Sequence, residues 1–185
     1  MPTLLGISGS LRRGSFNSAL LRAAVELAPP DLRVEVASIR DFPLYDGDAE
    51  EQGGIPPAVA ALKDRIAAAD GLLLVSPEYN NSLPGVFKNA IDWLSRPGKD
   101  IPRVFGGKPV GLIGASPGSG GTRLSQTAWL PVLRVLGTRP FFGRSVFIAG
   151  AGQVFDQNGA LKDDKTRDLV RRYMAGLAEF VGAGG

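Results

Sequence analysis

The sequence predicts an α/β fold in which a parallel sheet is covered by helices on both faces. Strand-like apolar runs alternate five times with segments whose apolar residues recur at helical spacing. The third run, Gly71 to Val75, is a continuous stretch of Leu and Val, as expected of a strand buried on both sides. The loops after the first, third and fourth runs carry the glycines, serines and asparagines, which puts function at the carboxyl edge of the sheet. At 185 residues the chain is most simply one domain, residues 1–185, long enough to bury about two-thirds of its unfolded surface.

The first strand is carried by Leu4, Leu5 and Ile7 and gives way to Gly6, Gly9 and Gly14 interleaved with Ser8, Ser10 and Ser15, with a helix starting near Asn17. A strand that turns into a helix in this way aims free backbone N–H groups and the positive end of the helix dipole at one spot, which suits an anion. Each such dipole contact is worth roughly 0.3–1 kcal/mol. The Ser10 and Ser15 hydroxyls, the Asn17 amide and the guanidinium of Arg12 or Arg13 have the chemistry to saturate a phosphate monoester. The spacing matches neither G-x-x-x-x-G-K-[ST] nor G-x-G-x-x-G, so an NTPase loop and an ordinary first-strand dinucleotide site are disfavoured, and a terminal phosphate fits best.

Apolar spacing makes Ser18 to Ala28 a helix, stopped by Pro29-Pro30, and Arg33 to Ile39 the second strand. Asp41 to Gly54 reads as a polar loop with five carboxylates, either plainly solvated or using Leu44 and Tyr45 to line a ligand or subunit contact. Pro56 to Ala69 is an amphipathic helix ahead of the third strand. Ser76 to Leu94 opens as a polar turn and becomes a helix with Val86, Phe87, Ala90, Ile91 and Leu94 on its apolar face, Ser82 being the expected N-cap. A charged loop, Arg96 to Lys108, precedes the fourth strand, Pro109 to Ala115, and a glycine-rich turn, Ser116 to Arg123. The next helix runs through Leu136 and holds Pro131, so a kink or break is expected near Trp129 to Leu130. Phe141 to Ile148 supplies strand five, and Asp164 to Val181 a closing helix with Leu169, Tyr173, Leu177, Phe180 and Val181 on one face, ahead of a fraying Gly182 to Gly185 tail.

The chain has no cysteine and no histidine, which removes thiol nucleophiles, Ser-His-Asp triads, Cys/His zinc sites and imidazole acid–base chemistry. Difficult chemistry must therefore come from a cofactor. The lack of cysteine excludes a disulfide framework and is compatible with a cytoplasmic location, the default expectation. With 44% hydrophobic and 21% charged residues and no apolar run near the ~18 residues of a membrane span, neither a membrane partner nor a signal peptide at Met1-Pro2-Thr3 is expected. The net charge is +3, but the basic residues are scattered among acids, which argues against nucleic acid as a partner.

Two motifs, GSLRRGSFN (Gly9 to Asn17) and SPEYNNSLPGVFKNAIDWLSRP (Ser76 to Pro97), resemble those of the NADPH-dependent FMN reductase family, the flavodoxin-like group that includes bacterial quinone, chromate and azo-dye reductases. The resemblance spans nearly the whole chain and implies a flavodoxin-like three-layer sandwich with a five-stranded parallel sheet in the order 2-1-3-4-5. It also implies FMN as cofactor, with Ser10, Arg12, Ser15 and Asn17 at the phosphate and Pro77, Glu78, Tyr79 and Asn80 beside the isoalloxazine. Ser116, Gly118, Gly120 and Gly121 would close the other side, and Phe16 and Ser82 complete the cofactor-binding set. A flavin needs backbone N–H groups near N5 and its carbonyl oxygens but no acid–base side chain, which suits a chain without histidine.

The function implied is ping-pong hydride transfer from NADPH or NADH to FMN and on to a small-molecule electron acceptor: a quinone, chromate, an azo compound or free flavin. Family members are usually homodimers or homotetramers, so Phe87, Trp93 and Trp129 stand either at a subunit interface or in the core, and Asp41 to Asp48 resembles a segment that approaches a neighbouring subunit's flavin. Arg13 is left with three readings: phosphate, the NADPH 2′-phosphate, or solvent. The rivals are a flavodoxin-type electron carrier, against which the slightly basic charge speaks, and a regulatory flavin-binding subunit.

Overall fold

The computed structural model describes residues 1–183. Its middle layer is a six-stranded sheet of β1 (Thr3–Ser8), β2 (Arg33–Ala37), β3 (Gly71–Val75), β4 (Pro109–Ala115), β5 (Arg139–Pro140) and β6 (Val146–Ile148). The order is β2-β1-β3-β4-β5, as the resemblance implied, with β6 also pairing with β4, and every pairing is parallel. Glu35, Leu5, Leu72 and Val110 form one row across the sheet, and Val75, Ile113 and Val146 another nearer its carboxyl edge.

The period-two alternation of the central strands divides the core between two faces. Leu4, Leu73 and Val75 point to one, where they meet α1 (Phe16–Glu26) and α8 (Asp164–Gly182) through Leu20, Leu21, Tyr173 and Leu177. Leu5, Ile7, Leu72 and Leu74 point to the other, against α3 (Pro57–Ala68), α4 (Gly85–Leu94) and α6 (Arg123–Val135). Phe87, Trp93 and Trp129 lie at 0–1% exposure in this second core, which settles their placement: they are packing residues and not an exposed interface.

Several segments depart from the sequence expectation. The second half of the acidic stretch is a helix, α2 (Gly47–Gly53), capped by the Asp46 carboxylate on the Asp48 N–H at 2.9 Å. The segment is also strapped to α4: the Tyr45 ring meets Trp93 edge-on at 4.9 Å between centroids, and Tyr45 Oη donates to Glu50 at 3.0 Å. Arg96 Nε donates to the same Glu50 oxygen at 2.8 Å and holds that carboxyl below the usual carboxylate range. Within the stretch read as a charged loop, a 3₁₀ turn (Gly98–Asp100) leads into α5 (Ile101–Val104).

Ser82 is not the N-cap of α4. That helix starts after Pro84 without a side-chain cap, because Ser82 pairs instead with Tyr79. Pro131 does not break α6, which runs unbroken from Arg123 to Val135 since the buried Trp129 and Leu133 anchor it to the sheet on either side of the proline. A short α7 (Ala151–Val154) follows β6, and the remaining elements start and end within two residues of expectation. Of the tail expected to fray, Gly182 ends α8, and Gly184 and Gly185 lie outside the described residues.

Strand five is divided. After Phe141, whose N–H still donates to Val110 O at 2.8 Å, residues 142–145 leave the ladder between β5 and β6, and the Tyr173 hydroxyl from α8 takes their place, accepting from Leu112 N–H at 2.7 Å and donating to its carbonyl at 3.3 Å. Burial pushes this phenol well above its ordinary pKa.

Gly9 brings the first loop onto α4. Its N–H extends the ladder to Val75 O at 2.9 Å, and a Cβ there would lie 2.2 Å from the Phe87 ring. We expect Gly9→Ala to destabilise the protein by about 1–3 kcal/mol in urea denaturation; wild-type stability would mean that Phe87 moves aside freely.

Candidate functional site

The carboxyl edge gathers three loops: Gly9 to Ser15 after β1, Ser76 to Pro84 after β3, and Ser116 to Thr122 after β4. Between them Ser10, Arg12, Ser15, Phe16, Asn17, Pro77, Glu78, Tyr79 and Ser116 line a cleft of about 150 Å³, with Ala115 and Pro117. The other sequence-predicted residues stand outside that lining. Asn80 and Ser82 are exposed on a turn above it, Gly118 and Gly120 are exposed in the third loop, and Gly121 is buried beneath it.

The first loop is built to leave donors free. Ser15 caps α1, its hydroxyl oxygen accepting from Asn17 N–H at 3.1 Å and Ser18 N–H at 3.3 Å, so its own hydrogen is available outward. The backbone N–H groups of Ser10, Leu11, Arg13, Gly14 and Phe16 find no acceptor among the described residues. A loop leaving five N–H groups unpaired at a helix N-terminus has the donor set for a phosphate. The Arg12 guanidinium bends over this loop, donating to Gly14 O at 2.8 Å and lying 5.7 Å from the Phe16 ring centroid.

Asn17, which lines the cleft, also has a backbone partner on β4. Its side chain is 3% exposed and bridges Ala115, Nδ2 donating to the carbonyl and Oδ1 accepting from the N–H, both at 2.9 Å. The amide thus ties the first loop to the end of β4 and holds the cleft walls in place.

The second loop is a two-residue hairpin. Tyr79 and Ser82 exchange backbone hydrogen bonds at 3.1 and 3.0 Å, and Asn80 and Asn81 take φ of 50° and 60°, the type I′ geometry that asparagine tolerates. Tyr79 is 49% exposed at the lip. Glu78 has a structural duty: one carboxylate oxygen accepts from Leu124 N–H at 2.9 Å and Ser125 N–H at 3.0 Å, capping α6, whose own N-cap Thr122 makes no side-chain cap.

Below it runs a buried chain absent from the sequence reading. Trp129 Nε1 donates to Ser76 Oγ at 2.9 Å, Ser76 and Ser125 hydroxyls lie 3.0 Å apart, and Ser125 Oγ donates to Pro77 O at 2.8 Å. The Ser76 hydroxyl also reaches Pro77 O at 3.1 Å, so its hydrogen has that carbonyl or Ser125 as acceptor, and every member is satisfied. Gly121 turns the third loop into α6 at φ +65°, where a Cβ would lie 3.0 Å from Phe147 O.

The NADPH-dependent FMN reductase family model matches residues 2–153. The chain belongs to the NADPH-dependent FMN reductase family. It is 45% identical over 178 residues to an NAD(P)H-dependent FMN reductase of Pseudomonas aeruginosa, covering 96% of this chain and 94% of that one. It is 39% identical to a 2-hydroxy-1,4-benzoquinone reductase of Burkholderia over 95% of this chain and 93% of the relative, and 38% identical to a quinone reductase of Escherichia coli over 94% and 92%. Among solved structures, the flavoenzyme NAD(P)H:(acceptor) oxidoreductase FerB of Paracoccus denitrificans superposes with a TM-score of 0.88 at 32% identity, both chains covered in full. This family member is accordingly an oxidoreductase with FMN as cofactor and NAD(P)H as co-substrate.

The capping duty of Glu78 leads us to expect that Glu78→Ala costs about 0.5–2 kcal/mol in thermal or urea unfolding, with Glu78→Gln, which keeps an acceptor, losing less. Equal stability of all three proteins would show that α6 does not need this cap.

Proposed function

We propose that residues 1–185 form one flavodoxin-like FMN-binding domain that reduces quinone-like acceptors at the expense of NADPH or NADH. The observation that carries the site assignment is a first loop with five unpaired N–H groups, two of them on Ser10 and Phe16, which line one cleft with Pro77 to Tyr79 and Ser116. The Ser10 and Ser15 hydroxyls, the Arg12 guanidinium and the loop N–H groups take the phosphate, Phe16 packs beside it, and Asn17 positions the cradle through Ala115. Pro77, Glu78 and Tyr79, with the Asn80 to Ser82 turn, border one side of the ring, and Ser116, Gly118, Gly120 and Gly121 the other.

FMN held there would supply the redox chemistry that links NAD(P)H to the acceptor, in the ping-pong order that we propose. The chain contributes binding and electrostatics. The backbone N–H groups of Glu78, Ser119 and Gly120 have no acceptor among the described residues and are available to the ring's heteroatoms. The acceptor range extends from quinones to chromate, azo compounds and free flavin, to be checked with a panel of these compounds.

No helix among the described residues is long and apolar enough to cross a membrane, and we propose a cytoplasmic enzyme without a nucleic-acid or membrane partner, testable by cell fractionation. A homodimer or homotetramer gives two or four times 19.4 kDa by light scattering.

Three measurements test this reading. Anaerobic NADPH bleaches the oxidised-flavin absorbance of the FMN-loaded protein; flavin that stays oxidised with both NADPH and NADH would overturn the reductase assignment. Double-reciprocal plots at several acceptor concentrations are parallel, whereas intersecting lines would exclude the ping-pong order. Arg12→Ala weakens FMN binding by about 1.5–3 kcal/mol, roughly ten- to 150-fold, without unfolding the protein; unchanged affinity would remove Arg12 from the cradle.

A further inference from the structure

Beneath the second loop, three polar side chains sit where packing alone calls for apolar ones. Trp129, Ser76 and Ser125 are all at 0% exposure, beside the core that Phe87 and Leu133 fill, and polar groups at such depth cost stability unless each finds a partner. Each does, and the chain they form leads to a single acceptor, the Pro77 carbonyl, with Ser125 Oγ at 2.8 Å and Ser76 Oγ at 3.1 Å. An apolar trio would fill the same space with no hydrogen bond to satisfy. What the polar trio adds is one backbone carbonyl held from the core side by two hydroxyls.

That carbonyl belongs to the same planar peptide as the Glu78 N–H. The Pro77–Glu78 bond is trans, so the two groups point in opposite directions, and with the oxygen held on the core side the hydrogen is turned away from the core. The other backbone N–H groups from Ser76 to Tyr79 are in use: Ser76 donates to Ile113 O at 2.9 Å and Tyr79 to Ser82 O at 3.1 Å, while Pro77 has none. Glu78 N–H has no acceptor among the described residues, and Pro77 and Glu78 both line the cleft. The peptide has little freedom to turn, because the hydroxyls hold its oxygen and two N–H groups of α6 hold the Glu78 carboxylate. Hydrogen bonds in a chain also polarise one another, by about 10–30% per bond, so donation to the carbonyl strengthens the N–H as a donor.

We infer that Trp129, Ser76 and Ser125 are positioning residues for the flavin: through the Pro77–Glu78 peptide they set the direction and strength of the Glu78 N–H donor and so favour the reduced cofactor over the oxidised one. Reduction adds electron density to the ring's heteroatoms, and a fixed, polarised N–H is worth more to that form. None of the three side chains lines the cleft, so their effect on the cofactor passes through the backbone. The inference rests on the reading of this cleft as the FMN site.

The test measures two quantities, the dissociation constant for oxidised FMN and the two-electron midpoint potential of the bound flavin. They are compared in the wild type, in Ser125→Ala, and in a triple variant that combines Ser76→Ala, Ser125→Ala and Trp129→Phe. Ser125→Ala removes one hydroxyl and keeps the backbone N–H that Glu78 accepts; the triple variant removes the chain as a unit, so no buried indole or hydroxyl is orphaned. The expected result is an affinity for oxidised FMN within about twofold of wild type, with the ratio of reduced to oxidised affinity down about tenfold in the triple variant, a potential lower by about 30 mV. Ser125→Ala moves the potential the same way by a smaller step, since Ser76 still reaches Pro77 O. An unchanged or raised potential would overturn the inference, as would equal weakening of both redox states, which reduces the chain to packing. If the triple variant does not fold, the potential of Ser125→Ala decides alone. Wild-type protein that binds no FMN would instead strike at the cofactor reading itself.

Discussion

The site depends on one buried amide. Asn17 and Ala115 are 98 residues apart in sequence, and the Asn17 side chain closes both of its hydrogen bonds on the Ala115 backbone. At that point β4 has run out of neighbours for these groups, and a buried N–H or C=O without a partner costs about 1–3 kcal/mol. The amide removes that penalty and fixes the start of α1 relative to the third loop. With the Gly9 N–H on Val75, it makes the first loop a fixed object, so its unpaired N–H groups are held for a ligand.

A second set of fixed contacts orders the opposite wall. Pro77 is held from below by the Trp129, Ser76 and Ser125 chain, and Glu78 is drawn sideways onto the first turn of α6. Both devices spend polar side chains on backbone groups, leaving the hairpin tip and Tyr79 exposed above a rigid base. The division of labour suits an enzyme whose reactive centre belongs to its cofactor: the protein's part is to present donors and a shape that do not relax.

The sequence was informative where a signal was local. Glycine and serine spacing marked the first loop, a run of Leu and Val marked the central strand, and the two motifs carried the cofactor and the strand order. It was less informative where tertiary partners decide. Asn17 and Glu78 have the chemistry of ligand contacts, and only the positions of Ala115 and of the α6 N-terminus turn them into a tie and a cap. Ser82 is a good capping residue locally, but the two positive-φ asparagines before it pull it into a hairpin. Pro131 reads as a helix breaker until the burial of its neighbours is counted, and the division of strand five depends on a tyrosine from the last helix.

That tyrosine bears on where this protein can be cut. The family model ends at residue 153, whereas α8 begins at Asp164. Yet Tyr173 completes the hydrogen bonding of Leu112 in mid-sheet, and Val170, Met174, Leu177 and Val181 cover the face that β3 and β4 turn toward α8. A fragment ending where the family signature ends would leave an open seam in the ladder and a bare apolar sheet, a template for pairing with other chains. The recognisable segment and the segment able to fold therefore differ in length, and the closing helix belongs to the second.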